Sequence, residues 1–503
     1  MFADARNLEA GQVLVADVCI VGAGAAGITL ARELIPSGLR VVVLESGGFE
    51  PDADTQDLYD GVVTGLQTNT LNTCRFRYFG GSTNRWAGWC RPLEADVFDD
   101  RPGVAGGWPI DAAELEPYYP RANATCGIGA VEFDAPSVAE RSGRELLDLS
   151  PSRVRQVIYQ YSEPVRFGSA YREELEGAAD VTVYLHANLT NIELVEAGGA
   201  VRALQGATLA GPHFEVQADR YVLAMGGVEN ARMLLASRDQ EPAGVGNERD
   251  LVGRYFMEHP HVYRGAAIVA RDDVDVSFYL SRHQALTVDE DHPEGVEAEV
   301  MPALALAPEL RGEEGLLALA CQLSRLNPAD VDDQLGAIGF EDVEALVRRG
   351  EGGGMNTYTL HIRAEQRPLS DSRVTLAEER DPLGIPRATL HWKIADVDRA
   401  DLRRGLEILG AELGRAGVGR LWMPLDPDGL YPIEPITGGC HHMGTTRMAA
   451  SADEGVVDAN CRVHGLDNLY IAGSSVFASG GHANPTLAIV ALAHRLADML
   501  ESS

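Results

Sequence analysis

Hydrophobic positions fall into two kinds of run along the chain. Residues 18–21 (Val-Cys-Ile-Val) and 40–44 (Arg-Val-Val-Val-Leu) are short, continuous and rich in β-branched side chains. That is the pattern of strands buried on both faces of a parallel sheet. Between them, residues 25–34 read as a helix that begins inside a glycine cluster, and Ser37-Gly38 makes a turn. The same order returns later: a buried-type strand over 220–224, then Met225-Gly226-Gly227, then a helix over 228–237. Residues 181–186 and 191–196 read as strands. A strand at 469–472 and a largely apolar helix running from Asn484 to about residue 499 close the chain. Buried strands alternating with helices place the chain in the α/β class, built on a Rossmann-type domain.

The middle differs. Residues 46–73 are polar and read as loop, and 111–119 read as a capped helix start. From 264 to 436, strands (264–270, 356–362, 373–376, 387–392) alternate with acidic helical segments near 305–349 and at 397–416. Glu351-Gly-Gly-Gly354 reads as a flexible joint. A chain of 503 residues is too long for one simple core. The expected division is a discontinuous nucleotide-binding domain (1–110, 180–263, 437–503) and a mixed-sheet substrate domain (111–179, 264–436), α+β overall. There is no internal repeat and no low-complexity tract.

The glycines after the first strand are Gly22, Gly24 and Gly27, in the spacing G-x-G-x-x-G. In this motif the first glycine permits a tight turn and the second lets the backbone approach a pyrophosphate. The third lets helix and strand pack closely, and the pyrophosphate rests on the positive helix end. Glu45 ends the second strand, 18 residues after Gly27, where an acid takes the ribose hydroxyls. An acid there favours a free 2′-hydroxyl and disfavours NADP. The fingerprint does not separate FAD from NAD. A second small-residue stretch, Gly80-Gly81-Ser82-Thr83-Asn84-Arg85-Trp86-Ala87, suggests backbone pressed against a large flat ligand.

Composition narrows the partners. The formal net charge of −33 argues against nucleic acid and anionic membranes. It is read first as a solubilising surface and second as a field that attracts a cationic substrate. Seven scattered cysteines without a CxxC pair suggest reduced thiols and a cytoplasmic setting. No signal peptide and no apolar run long enough to span a membrane are expected.

The last seventy residues carry the candidate chemistry. Asn484-Pro485-Thr486 suits a helix start, and a buried helix aimed at a ligand offers positive potential to a developing anion. Histidine, titrating near neutrality, is suited to remove a hydroxyl proton while hydride leaves the carbon, and an amide can hold the alcohol oxygen. His441, His442 and His482 are the histidines near this region. Cys440, His441, His442 and Cys461 match no zinc spacing, so no metal is expected.

With these residues in view, the chain resembles the glucose-methanol-choline (GMC) family of FAD-dependent oxidoreductases nearly end to end, most weakly over 265–360. The resemblance rests on the fingerprint ending at Glu45, the Gly80-Gly81 loop, the stretch 222–230, His441-His-Met-Gly-Thr-Thr-Arg-Met, Asp458-Ala-Asn-Cys-Arg-Val and Asn484-Pro-Thr. Its C-terminus is most similar to bacterial sugar-oxidising members. The resemblance implies FAD, His441 as proton acceptor, and Asn484, 43 residues later, as positioner of the hydroxyl. It implies cofactor contacts from Gly22, Gly24, Ala25, Ala26 and Gly27, and from Glu45, Ser46 and Ala187. Further contacts are expected from Gly80, Gly81, Ser82, Asn84, Arg85, Trp86 and Ala87, and from Gly226, Gly473, Ser474, Asn484, Pro485 and Thr486. His442, His482 and Gln366 are expected to face substrate. Some relatives carry a histidine before the loop tryptophan for covalent FAD; Arg85 stands there instead, so non-covalent FAD is expected. The implied reaction is oxidation of a sugar or glycoside hydroxyl, with oxygen or a quinone-type acceptor and a possible homo-oligomer. The alternatives are an aminated sugar or other secondary metabolite as substrate, and a non-redox lyase.

Overall fold

The computed structural model describes all residues except 67, 129–132, 164, 281–282, 288–295, 326–354 and 503. Three sheets organise it. The first has eight strands, in the order Phe2–Asp4, Val181–Leu185, Val41–Leu44, Gln12–Val21, His213–Leu223, Val201–Ala207 and Asn188–Leu194. Leu469–Ile471 also pairs with His213–Leu223. Pairing is parallel from Phe2–Asp4 through His213–Leu223 and on to Leu469–Ile471, and antiparallel at the other edge. The continuous apolar runs lie at its centre: Val18, Ile20, Val43 and Val222 are each buried to within 1%. Hydrophobic burial explains why these runs become central strands and not helices.

The fingerprint behaves as its spacing predicts. Gly22 has φ +102° and passes so close to the next strand that a Cβ would lie 2.7 Å from the Ala224 carbonyl oxygen. At Gly27 a Cβ would lie 1.8 Å from the Gly22 carbonyl oxygen, so the helix Ala25–Glu33 closes onto the turn only with glycine there. The C-terminal helix Thr486–Ser502 packs on that same helix, bringing the two ends of the chain together.

The second sheet has nine strands. Its main path runs Gly419–Trp422, Pro260–Arg271, Met355–Ala364, Leu319–Arg325, Val296–Leu306, Val154–Tyr161 and Trp89–Cys90. His283–Thr287 and Ile436–Gly438 pair off this path. The third sheet joins Arg373–Arg380, Pro386–Trp392 and Gly61–Gly65.

Several expectations are corrected. The polar stretch 46–73 is not all loop: it holds the helix Ala53–Asp57 and the strand Gly61–Gly65, which pairs in parallel with Pro386–Trp392 more than 300 residues away. The expected helical segment near 305–349 shortens, in its described part, to Pro308–Glu314. Gly315 ends that helix in the left-handed region, and Leu319–Arg325 follows as a strand. Leucine and alanine favour helix in isolation, but here they are buried between two strands whose backbone groups need partners. The rest of that segment and the Glu351–Gly354 joint lie outside the described residues. The helix expected at 397–416 is Asp396–Arg415.

Candidate active site

A cavity of about 570 Å³ runs from the fingerprint to the second sheet. Backbone builds one end of it. Gly24, Ala25 and Ala26 line it at the start of the fingerprint helix, whose N-cap, Gly24, contributes no side chain. Gly24, Gly226 and Gly473 all line the wall, and a Cβ built on any of them meets nothing within 4 Å. It would project into the void, so the wall is a cradle that any side chain would begin to fill. The carboxylate of Glu45, on the same wall, accepts from the N–H groups of Ala23 (2.9 Å) and Gly47 (2.8 Å). Burial raises its pKa. Ser46, Ala187, Gly81, Ser82, Arg85, Trp86 and Ala87 complete this end. Bare glycines, a helix N-terminus and a fixed carboxylate fit a dinucleotide: backbone donors for the pyrophosphate and an acid for the ribose.

Three expected contacts play a supporting part. Gly27 and Gly80 lie behind the wall. Asn84 is also behind it, donating its amide to the Phe79 carbonyl (2.9 Å) and filling the space where a Gly80 side chain would go.

Side chains build the other end. His441 and Asn484 meet there, with Nε2 of His441 3.3 Å from Nδ2 of Asn484. The backbone that presents His441 is strained. Cys440 has φ +60°, and the flanking N–H groups of Gly439 (3.1 Å) and His441 (2.8 Å) both donate to Glu258 Oε2. Glu258 sits just before the second sheet, is fully buried, and has its pKa raised to about 7 by that burial. His442 Nε2 stands 3.3 Å from Glu258 Oε1 without hydrogen-bond alignment, and His442 is among the residues that line the wall.

The hydrogen bonds assign the protons. His259 Nε2 faces the Gly480 carbonyl (3.3 Å), which only accepts, so Nε2 carries the proton. Burial lowers the His259 pKa to about 4, so the ring is neutral and its Nδ1 must accept. That Nδ1 lies 2.8 Å from His441 Nδ1, which therefore donates. His441 is left with its unprotonated Nε2 as an acceptor on the cavity wall, where it takes the Asn484 Nδ2 N–H at 3.3 Å. Burial, with His259 and His261 as neighbours, lowers its pKa well below the ordinary histidine value.

The same end holds four residues that the sequence reading missed. His261 pairs across the sheet with Arg363, and Tyr263 with His361. Strand side chains alternate, so all four emerge on one face, and all four line the cavity. Their signal was legible as polar alternation, His261-Val-Tyr263 and His361-Ile-Arg363, inside segments that otherwise read as strands.

Two expected substrate contacts are corrected. Gln366 is buried away from the wall. Its Oε1 accepts from the Glu258 N–H (3.1 Å) and Trp392 Nε1 (2.7 Å), and its Nε2 donates to the Lys393 carbonyl (3.2 Å). His482 is equally buried, with Nδ1 2.7 Å from the Tyr159 hydroxyl and Nε2 3.4 Å from Glu94. Both amide and imidazole are spent on holding the loops. Among the described residues no cluster of three histidine, cysteine or acidic side chains is arranged to hold a metal ion.

Residues 368–493 match the family model GMC oxidoreductase, and residues 17–247 match FAD dependent oxidoreductase. The chain belongs to the GMC oxidoreductases. It is an FAD-dependent oxidoreductase, and the cradle just described fits the dinucleotide of that cofactor. It is similar to paromamine 6′-oxidase of Streptomyces fradiae, 25% identical over 96% of this chain and 90% of that one. It is also similar to the fructose dehydrogenase large subunit of Gluconobacter japonicus, 23% identical over 97% and 98%. A crystal structure of formate oxidase shares the fold, with a TM-score of 0.58 and 19% identity over 98% of this chain and 99% of that one. Among the described residues of this GMC oxidoreductase, no helix is long and apolar enough to cross a membrane.

Proposed function

We propose that the chain oxidises a hydroxyl of a sugar or glycoside to a carbonyl, with His441 as the base and Asn484 as the holder of the alcohol oxygen. The observation that carries this reading is the unprotonated Nε2 of His441, paired at 3.3 Å with the Asn484 amide, on the wall of a cavity continuous with the glycine cradle. FAD held by the glycine cradle would supply the two-electron acceptor, flavin N5, for the carbon's hydride. His441 Nε2 takes the hydroxyl proton, and the C–O bond becomes C=O. His259 keeps the proton of His441 on Nδ1, so Nε2 is always the accepting atom. The helix Thr486–Ser502 begins at the cavity wall and turns its positive end toward charge gathered there.

The relatives act on paromamine and on fructose by their names, which supports a sugar-like alcohol. Arg85, where relatives with covalent flavin carry histidine, supports non-covalent FAD. Oxygen or a quinone-type compound closes the cycle by taking the electrons back. Seven free cysteines support a reducing, cytoplasmic setting. The expected two-part division also stands as a proposal: the first sheet and its segments grip FAD, and the second faces substrate.

The test is anaerobic flavin bleaching. His441→Ala retains FAD, and its alcohol-dependent flavin reduction falls by about 10² to 10⁴. Unchanged reduction sinks the assignment of the base. Full turnover of a substrate with the flavin never bleaching would instead point to a lyase.

A further inference from the structure

Arg363 is 4% exposed, lines the cavity beside His441 and Asn484, and is held in place by neutral groups. Its Nη2 donates to Gln322 Oε1 (3.0 Å), and its Nη1 lies 3.5 Å from Asn484 Oδ1. The guanidinium carbon lies 5.2 Å from the Trp89 ring centre and 5.0 Å from that of Tyr159. Among the described residues it has no carboxylate partner. The carboxylates on the cavity wall are Glu45, bound to fingerprint backbone, and Glu229, paired with Arg75, Arg77 and Arg232. A buried guanidinium without a counter-ion is costly unless an anion arrives to complete it.

The neighbours agree. His261 Nε2 and His361 Nε2 are buried polar atoms without a hydrogen-bond partner, on the same sheet face. Both rings are kept neutral by burial first and by Arg363 next. Neutral imidazoles can each offer an N–H without adding charge to the arginine. Tyr263, stacked on His361 at 4.2 Å between centroids, closes the patch and is 58% exposed. This is a fork with flanking donors, the arrangement that takes a planar acid group.

Resting on the alcohol-oxidising reading above, we infer that the substrate is a hydroxy compound bearing a carboxylate, such as an acidic sugar, and that Arg363, His261 and His361 bind that carboxylate while His441 faces the hydroxyl. The chamber is the wrong sign for an aminated sugar: it offers an ammonium group an arginine and no acid. The acidic exterior and the cationic interior therefore point to opposite substrates, and contact distance decides in favour of the interior.

The experiment compares FAD-loaded wild type with Arg363→Met and Arg363→Lys, checking flavin content by absorbance. The panel holds matched sets of neutral, carboxylated, phosphorylated and amino sugars. The expected wild-type order puts the carboxylate ahead of its neutral partner by 10-fold or more in kcat/KM and the amine last. Arg363→Met collapses the acid-to-neutral ratio toward one, and Arg363→Lys keeps part of it. As a readout that needs no turnover, acetate and benzoate perturb the flavin spectrum of the wild type and bind at least 10-fold more weakly to Arg363→Met. An amine or neutral preference, a preference for phosphate over carboxylate, or a ratio unmoved by Arg363→Met while FAD is retained overturns the inference. In the first of these cases flavin reduction by the neutral sugar still upholds the oxidoreductase reading. Bleaching by no sugar, with acetate and benzoate still bound through Arg363, leaves the anion site standing and removes the sugar reading.

Discussion

The two ends of the cavity are made of different material. The cofactor end is backbone: glycines with nothing beyond Cα, helix N–H groups, and one carboxylate tied to two main-chain donors. The other end is side chain: His261, His361, Arg363, His441 and Asn484, contributed by strands and loops far apart in sequence, with His259 behind His441. Backbone recognition requires particular residues at fixed spacing, because adding one atom blocks it. Side-chain recognition requires only that strands arrive in register, and it can change one residue at a time.

The largest effect should come from the backbone end. Gly27→Ala puts a Cβ 1.8 Å from the Gly22 carbonyl oxygen, which is main chain and cannot swing away. Protein purified from this variant should carry almost no flavin, read as the ratio of flavin to protein absorbance. Flavin content near that of wild type would break the contrast. At the side-chain end the matching substitution, His259→Leu, should leave flavin in place and slow flavin reduction roughly 10- to 100-fold, because His441 loses the acceptor that fixes its tautomer. His259→Asn, which restores an acceptor oxygen, should recover part of the rate, and the acid limb of the Leu variant should move up toward 6.5 as a neighbouring imidazole is lost.

The pH profile is a finer probe. His441 acts in its neutral form, and its surroundings disfavour the protonated form. Lowering the pH through 6.5, where an ordinary histidine would be half lost, should therefore leave most of the rate. Glu258 has the opposite shift, up to about 7, so it ionises only above neutrality and then holds the His441 turn more firmly. A shallow rise in kcat/KM through pH 7 that disappears in Glu258→Gln is expected; an identical profile in that variant removes Glu258 from the account. The smallest effect is that of salt. With a net charge of −33 outside, an acidic substrate is repelled on approach, so its kcat/KM should rise a few-fold between low and moderate ionic strength. A fall would mean that attraction at the cavity, not repulsion by the exterior field, governs the approach of the acid.

This contrast also explains what could be read from sequence. The fingerprint strands, the helix after Gly24, Glu45 and the final helix were legible because their chemistry is local: a glycine forced by a turn is recognisable at its own position. The resemblance of the C-terminal segment placed His441 and Asn484 in the same site, and they lie 3.3 Å apart. Arg363 and His261 were not legible together, since nothing local says that residues 102 apart are cross-strand partners. The strand Leu319–Arg325 was hidden because tertiary pairing overrode the helical preference of leucine and alanine. Gln366 and His482 looked like site residues because polar side chains near catalytic segments usually do, yet both satisfy buried backbone and side-chain partners instead.

His261, Tyr263, His361 and Arg363 project from two neighbouring strands that share no residue with the glycine cradle. A lineage, or an engineer, can therefore rewrite the acid-recognising patch by exchanging alternate residues on those two strands. The hydrogen-bonding backbone beneath them is indifferent to which side chain stands above it. The grip on the cofactor and the tautomer of His441 are inherited unchanged through such exchanges. New substrates are reached by short mutational paths that leave the cradle untouched.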